Sequence, residues 1–397
     1  MDKNLVFENT PIFIPETSDS ALLNLEREIP IFIGAHFVYC RKNVFKQLKE
    51  IAKPLIIDPV SYYNFQEAKA PETFKKLPYY LEEEPKTLYS NESYRTNNFI
   101  NPCIEFQLDN YSDIIIAPYL FSPETDDTKF STNLTILAQS ISYLKNNNIK
   151  KPLFASIHIG NNFLNRPSTI NSVIGRYYTD FKDSIDGYII TINGLDPRKA
   201  ELEQLKTLTN LVFQLSKDKL VLLKQMGPFG EVLSAIGSAG YINSLLYGEF
   251  SEIEKPGGFG SGIHSRILIP ELFIFVDNET VRKIGYKCEC ISCKNIHNLT
   301  DYARRSIHSY LRRSEVLEQM VNLNRIQRIN FLLEKIKKAE KLISNYDLKY
   351  GLSLTKVCSF LYSWKSLLEW SKQLNYVEEG LEFEEELLKK LEEDNND

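Results

Sequence analysis

Short apolar runs, rich in β-branched and aromatic residues, alternate with longer segments of helical periodicity over residues 1–285. The candidate strands are IPIFIG (29–34), PLIID (54–58), DIIIAPYL (113–120), PLFASIHIG (152–160), GYIITIN (187–193), KLVLLKQ (219–225), YINSLLYG (241–248) and RILIPELFIFV (266–276). Near-continuous apolar strands of this kind are typical of a parallel sheet covered by helices. Their number predicts an α/β protein with a (β/α)8 barrel of the TIM type. An open doubly wound sheet is the alternative, although no GxGxxG motif supports its dinucleotide-binding form.

The pattern changes after residue 285. From Asp301 onward, glycine and proline are nearly absent and the apolar positions keep helical spacing, which predicts helices. We therefore expect a barrel over 1–285, with an insertion near 63–98, and a helical C-terminal part over 286–397.

Composition and charge narrow the class of protein. Of 397 residues, 43% are hydrophobic and 25% are charged, as in ordinary globular proteins. No signal-peptide pattern or membrane-spanning apolar run is present, so we expect a cytoplasmic protein without a membrane partner. The net charge of −5 opposes general attraction to nucleic acid, yet Arg282–Lys341 holds fourteen basic against six acidic residues. A local basic face is therefore still open.

Three of the six cysteines lie in the stretch YKCECISC, where Cys288, Cys290 and Cys293 form C-x-C-x2-C. A tight turn can supply three thiolates to zinc, and a histidine from a following helix can complete a closed tetrahedral site. His308 is our preferred fourth ligand, and His297 is the competing one. The pattern predicts a structural Zn²⁺ site rather than a redox pair, with unligated buried cysteines as the plainer alternative.

A predicted parallel barrel followed by this cysteine motif and a helical histidine resembles the tRNA-guanine transglycosylase superfamily. PLIIDP is similar to the family strand that ends in a catalytic aspartate, and PLFASIHIG to the strand that carries a base-recognising glutamine. IDGYIITING (185–194) resembles the strand whose backbone holds the base, and 222–249 the run that leads to the nucleophile. The resemblance implies Asp58 as general acid/base, Glu249 as nucleophile, and His158 and Gly194 beside the base.

The chain also departs from that family. PVSYY (59–63) replaces a glycine pair, Tyr119 stands in place of an acidic purine reader, and Glu249 replaces an aspartate. These differences favour a divergent branch, similar to the enzymes that insert 7-deazaguanines into DNA. The implied activity is exchange of guanine for a 7-deazaguanine base in nucleic acid, with DNA slightly favoured over tRNA. Helper proteins and a homodimer are further partners that the sequence leaves open.

Several candidate residues have plainer interpretations. Asp58 precedes a proline and could cap a turn, Glu249 could be a solvated loop acid, and His158 could be a satisfied core histidine. Tyr62 and Tyr119, with neighbouring Tyr63, could stack on a flipped base or simply pack in the barrel.

Two basic features could contact phosphate. The glycine-rich stretch KPGGFGSGIHSR (255–266) ends in Arg266 and could form an anion-binding loop or a mobile lid. The helix ARRSIHSYLRR (303–313) could present arginine pairs to a nucleic acid or be only a solvated face.

Two other functions stay open at this point. One is a catalytically degenerate barrel that serves as a nucleic-acid-binding or accessory subunit, because the glycine pair and the aspartate are missing. The other is an unrelated barrel hydrolase with a structural metal.

Overall fold

The computed structural model describes residues 11–17, 20–25, 27–65, 72–81, 86–124, 128–246, 249–251, 266–288, 290, 293 and 301–375. Its strands are β1 (Ile12–Pro15), β2 (Ile29–Gly34), β3 (Ala52–Asp58), β4 (Ile115–Ile116), β5 (Leu153–Gly160), β6 (Gly187–Asn193), β7 (Leu220–Lys224), β8 (Gly240–Asn243), β9 (Arg266–Ile269) and β10 (Ile274–Asp277). Its α-helices are α1 (Ala35–Cys40), α2 (Lys42–Ile51), α3 (Lys86–Ser90), α4 (Glu92–Arg95), α5 (Asn101–Asp109), α6 (Thr128–Asn146), α7 (Pro167–Phe181), α8 (Leu202–Leu215), α9 (Phe229–Ile236), α10 (Asn278–Ile284), α11 (Tyr302–Glu318), α12 (Arg325–Tyr350), α13 (Leu354–Val357) and α14 (Phe360–Ser371).

The main sheet is parallel and has six strands in the order β1-β8-β7-β6-β5-β4. β2 and β3 form a separate parallel pair. Single bridges connect this pair to both edge strands of the sheet, from Glu16 to Phe32 on one side and from Ile56 to Ile114 on the other. The protein is therefore a mixed α/β structure with a curled parallel sheet, and the strand pair lies between its two edges.

One face of these strands forms an apolar cluster of its own. The buried members come from every strand between β1 and β8 or from their ends: Ile14, Phe32, Ile56, Ile114, Ile116, Tyr119, Phe154, Ile189, Leu222 and Ile242. Side chains alternate between the two faces of a strand, so Phe13 and Tyr241 belong to the larger core under the helices. A residue two positions further along a strand points to the same face. Two positions after Ile14, Ile56 and Leu222, toward the carboxyl ends of the strands, stand Glu16, Asp58 and Lys224.

Seven of the eight candidate strands overlap a parallel strand of the structure, and those at 29–34 and 187–193 have the expected bounds. The prediction for 266–276 is wrong, because this stretch is an antiparallel hairpin of β9 and β10. The turn of the hairpin contains Phe273, whose φ is 57°. The sequence interpretation missed β1, whose four residues end in a proline.

The region predicted as an insertion, near 63–98, contains a 3-10 helix at Phe74–Lys76 and the short helices α3 and α4. The buried guanidinium of Arg95 fixes it in place by donating to the Leu88 carbonyl at 2.7 Å and to Gln139 Oε1 at 2.6 Å. Because Gln139 lies on α6, these bonds attach the region to the helical layer.

The C-terminal helices pack on the helices of the sheet. The Trp364 side chain on α14 is fully buried against Phe229 and Phe360, and its Nε1 donates to the Pro197 carbonyl at 3.1 Å. The helices expected after 301 are thus present and share the main core, while a domain boundary at 285 stays a prediction. Among the described helices, none is long and apolar enough to cross a membrane.

Candidate functional site

Asp58 lies at the carboxyl end of β3 and is only 1% exposed. Its Oδ1 accepts hydrogen bonds from the Val60 N–H at 2.9 Å and from the Tyr119 hydroxyl at 2.8 Å, and its Oδ2 lies 2.5 Å from Lys224 Nζ. Val60 has a φ of 45°, a left-handed conformation that is rare for a β-branched residue. Asp58 therefore both caps the turn after β3 and sits at the centre of a buried polar cluster.

Lys224 connects Asp58 to a second carboxylate. Lys224 is the last residue of β7 and is 4% exposed. Its Nζ lies 3.2 Å from Glu16 Oε1, and Gln225 Nε2 donates a hydrogen bond to Glu16 Oε2 at 3.2 Å. Burial alone lowers the pKa of Lys224, but the charges of Asp58 and Glu16 outweigh burial and raise that pKa above its ordinary value. Lys224 is thus protonated at physiological pH, which suits it to charge stabilisation rather than to nucleophilic attack.

His158, near the end of β5, is 3% exposed and is surrounded by aromatic rings. The centroids of Tyr62, Phe121 and Tyr119 lie 4.8, 5.2 and 5.8 Å from the imidazole centroid. Burial, followed by the charge of Lys224, lowers the pKa of His158 to about 3. The ring is therefore neutral at physiological pH, and neither nitrogen has a hydrogen-bond partner in the described part of the chain.

The two tyrosines of this cluster are neutral as well. Burial, and then nearby charges that include Asp58, raise the pKa of Tyr119 and of Tyr62 well above the ordinary value. Four predicted residues, namely Asp58, His158, Tyr62 and Tyr119, thus meet at one end of the sheet. We name this group, together with Lys224 and Glu16, the Asp58 cluster.

Glu249 lies on a segment that crosses the carboxyl ends of β6 and β7. Ser251 forms a β-bridge with Asn193, and its carbonyl oxygen accepts a hydrogen bond from the Gly194 N–H at 2.8 Å. Phe250 forms a second β-bridge, with Met226. Gly194 has a φ of 78°, which favours glycine. Backbone contacts thus place Gly194 beside the segment that carries the predicted nucleophile, at a point two residues from Glu249 along the chain.

The carboxylate of Glu249 is engaged by two arginines. Its oxygens lie 3.3 Å from Arg313 and 3.5 Å from Arg198. Among the described contacts none joins Glu249 to Asp58. Both carboxylates therefore lie at the same end of the sheet, but they contact different cations: Lys224 for Asp58, and Arg198 and Arg313 for Glu249.

Arg266 is exposed and begins β9. Together with Arg198 it lines a cavity of about 730 Å³ beside β10 and the start of α10. No member of the Asp58 cluster lines this cavity, so the structure places Arg266 with Arg198 rather than with the base-stacking candidates. The glycine-rich residues 255–265 lie outside the described part of the chain.

Cys288, Cys290, Cys293 and His308 form one cluster, whose four potential ligand atoms all lie within 4.8 Å of one another. The sulfurs of Cys288, Cys290 and Cys293 are 3.7, 3.4 and 2.9 Å from His308 Nδ1. Zn–S bonds of about 2.3 Å and Zn–N bonds of about 2.0 Å at tetrahedral angles separate the sulfur and nitrogen ligands by about 3.5 Å. The geometry therefore fits a closed metal centre, such as one for zinc.

A second contact orients the histidine. His308 Nε2 lies 2.8 Å from the Leu268 carbonyl, and donation to this oxygen leaves the lone pair on Nδ1, the nitrogen that faces the thiols. Because Leu268 belongs to β9 and His308 to α11, the cluster ties the hairpin to the helix. His297, the competing ligand, lies outside the described residues.

The arginines of the predicted basic helix are mostly turned inward. Arg305 and Arg313 are 4% and 1% exposed. Arg312 pairs with Glu271 at 2.5 Å and also with Glu315. These three arginines therefore do not form an exposed phosphate-binding face, because they are buried or paired within the protein.

Sequence reasoning missed Lys224 and Glu16. A charged residue that directly ends an apolar strand, as in LVLLK, was the available signal for the lysine. Glu16 follows the short strand β1, which was not predicted, so its place on the inner face could not be inferred.

Comparison of the whole chain with known protein families and with curated proteins finds no family model and no curated sequence that matches it.

Proposed function

We propose that this protein is a guanine transglycosylase that exchanges guanine in DNA or tRNA for a 7-deazaguanine base. The single observation that carries this proposal is the Asp58 cluster. In it, the carboxylates of Asp58 and Glu16 meet aromatic rings and a neutral imidazole at the carboxyl ends of parallel strands. In (β/α)8 barrels this end carries the active site. The two bridges beside β2 and β3 support closure of the sheet into such a barrel.

The exchange needs a carboxylate and a proton carrier. In the proposed reaction, the Glu249 carboxylate bonds to C1′ as the C1′–N bond breaks, and the leaving base takes the electron pair and a proton. The incoming base then loses a proton, and its nitrogen displaces the carboxylate from C1′. Asp58 is the proposed proton carrier: its protonated form gives the proton to the leaving base, and the Lys224 ammonium stabilises the carboxylate that remains. This carboxylate then takes up the proton that the incoming base loses. The segment that carries Glu249 contacts the carboxyl ends of β6 and β7, at the same end of the sheet as Asp58.

The metal has a structural part in this proposal. Three thiolates and one imidazole would hold Zn²⁺ with no position left for substrate, and the bond to Leu268 connects this centre to β9. Zinc would thus fix α11, whose Arg313 holds Glu249.

The decisive test is incubation of the zinc-loaded protein with labelled guanine and either tRNA or duplex DNA, followed by measurement of label in the polymer. We expect incorporation with one of them, and its loss in Glu249→Gln and Asp58→Asn at unchanged fold. Failure of the wild-type protein with both polymers, with helper proteins supplied, would refute base exchange.

A specific observation favours a second candidate, a degenerate barrel that binds nucleic acid or a partner enzyme without catalysis. Asp58 is neutralised by Lys224 and Glu249 is held by Arg198 and Arg313, so both proposed catalytic carboxylates are already paired. This candidate predicts polymer binding without incorporation of label, and no effect of Glu249→Gln on that binding.

A further inference from the structure

Asp58 has little capacity left for a ligand. A carboxylate has about four acceptor sites, and those of Asp58 receive the Val60 N–H, the Tyr119 hydroxyl and the Lys224 ammonium. With 1% of its surface exposed, this carboxylate is enclosed by its own partners. Asp58 therefore keeps about one acceptor site, which is enough for the proposed proton transfer but not for two hydrogen bonds to the edge of a base.

Glu16 differs from Asp58 in both respects. Its side chain is 22% exposed, and each oxygen has one described partner, Lys224 for Oε1 and Gln225 for Oε2. Roughly half of its acceptor sites thus have no partner among the residues that the structure describes. Gln225 holds Glu16 from a backbone with a φ of 59°, a strained conformation of the kind that persists at functional sites.

The surrounding charges leave this carboxylate without full compensation. Asp58 and Glu16 share the single ammonium of Lys224, and His158 is neutral because burial lowers its pKa to about 3. The cluster therefore keeps one net negative charge beside the rings of Tyr62 and Tyr119. A planar ligand with adjacent N–H donors complements both the charge and the aromatic surface.

We infer that Glu16 is the specificity-determining carboxylate of the Asp58 cluster and accepts hydrogen bonds from the N1–H and 2-amino groups of a guanine-type base. The choice of a purine rests on the proposed function, whereas the role of Glu16 rests on its partial exposure and on the acceptor sites that no described residue occupies. His158, whose ring nitrogens have no partner in the described part of the chain, offers a further hydrogen bond to the same ligand.

The test measures base preference by equilibrium dialysis with labelled guanine and labelled hypoxanthine, which lacks only the 2-amino group. We expect the wild-type protein to bind guanine at least about tenfold more tightly, since a site built to accept a hydrogen bond discriminates against a ligand without the donor. Glu16→Gln should reduce this preference to less than about threefold, because an amide offers one acceptor oxygen in place of two. A purely structural role of Glu16 would lower the affinity for both bases equally.

Glu28→Gln is the matched control, because Glu28 also pairs with a lysine, Lys53, but is 65% exposed. It should keep the wild-type preference. An unchanged preference in Glu16→Gln, or a wild-type protein that does not bind or prefer guanine, would overturn the inference. A guanine preference that depends on Glu16, without incorporation of label into any polymer, would instead refute the proposed exchange reaction and leave the assignment of Glu16 intact.

Discussion

Removal of the Lys224 ammonium is the most direct test of the Asp58 cluster. Lys224→Met keeps most of the side-chain volume but leaves Asp58, which is 1% exposed, without its counter-ion. At a separation of 2.5 Å and an effective dielectric constant of about 20, the Coulomb attraction is about 7 kcal/mol. Desolvation of the lysine offsets part of this value, and loss of one partner of a buried pair typically costs about 3–5 kcal/mol. We expect the free energy of unfolding to fall by that amount at pH 7.

Urea unfolding of a double-mutant cycle separates the charge effect from packing. In Asp58→Asn/Lys224→Met the buried carboxylate is removed, and only Glu16, which is 22% exposed, lacks the ammonium. The double variant should therefore be more stable than Lys224→Met alone. Lys199→Met is the matched control, because Lys199 also pairs with an aspartate but is 83% exposed, and such pairs contribute at most about 1 kcal/mol. A loss below about 1 kcal/mol in Lys224→Met, or no recovery in the double variant, would contradict the proposed buried ion pair.

Three further predictions concern the metal centre, the buried histidine and the docking of α14. The purified protein should contain one zinc per chain by metal analysis, and Cys293→Ser should lose it. Cys40→Ser, at an exposed cysteine outside the cluster, should keep it. Equal zinc contents in the two variants would argue against the metal centre. Since the folded pKa of His158 is about 3, below the unfolded value near 6.5, protonation favours unfolding and stability is lost as pH falls below about 6.5. His158→Gln should therefore lose about 2 kcal/mol less than the wild-type protein between pH 7.5 and pH 5 in urea titrations, and identical losses would show that the imidazole is solvated. Trp364→Ala should lower the free energy of unfolding by about 3–5 kcal/mol, with a clearly smaller loss in Trp364→Phe, because the ring fills a fully buried position.

Local patterns in the sequence predicted those features that depend on local chemistry. Apolar runs of strand length identified seven parallel strands, and the spacing of Cys288, Cys290 and Cys293 identified three members of a cluster that His308 completes. The same reasoning failed where tertiary context decides. An apolar run at 266–276 was long enough for a barrel strand, but the turn at 270–273 folds it into a hairpin.

Charge partners across the sheet were also beyond the reach of the sequence. Lys224 is separated from Asp58 by 166 positions, and nothing local to either residue indicates that they meet. The arginine-rich helix shows the opposite error, since clustered charges predicted a surface while Arg305 and Arg313 became buried. Spacing along the chain reports the face of an element, whereas the partner of a buried charge is set by the topology.

The placement of charge on the inner face bears on function. The inner layer that contains Ile14, Ile56 and Leu222 is apolar, yet the positions two residues later hold Glu16, Asp58 and Lys224. Apolar residues of similar volume would often stabilise such a position as well as an ion pair does, so stability alone does not account for this change. It occurs at the carboxyl ends of the strands, where a bound ligand could offset the cost of buried charge. We therefore propose that the cluster is a binding site rather than part of the core, and base preference in Glu16→Gln tests that proposal directly.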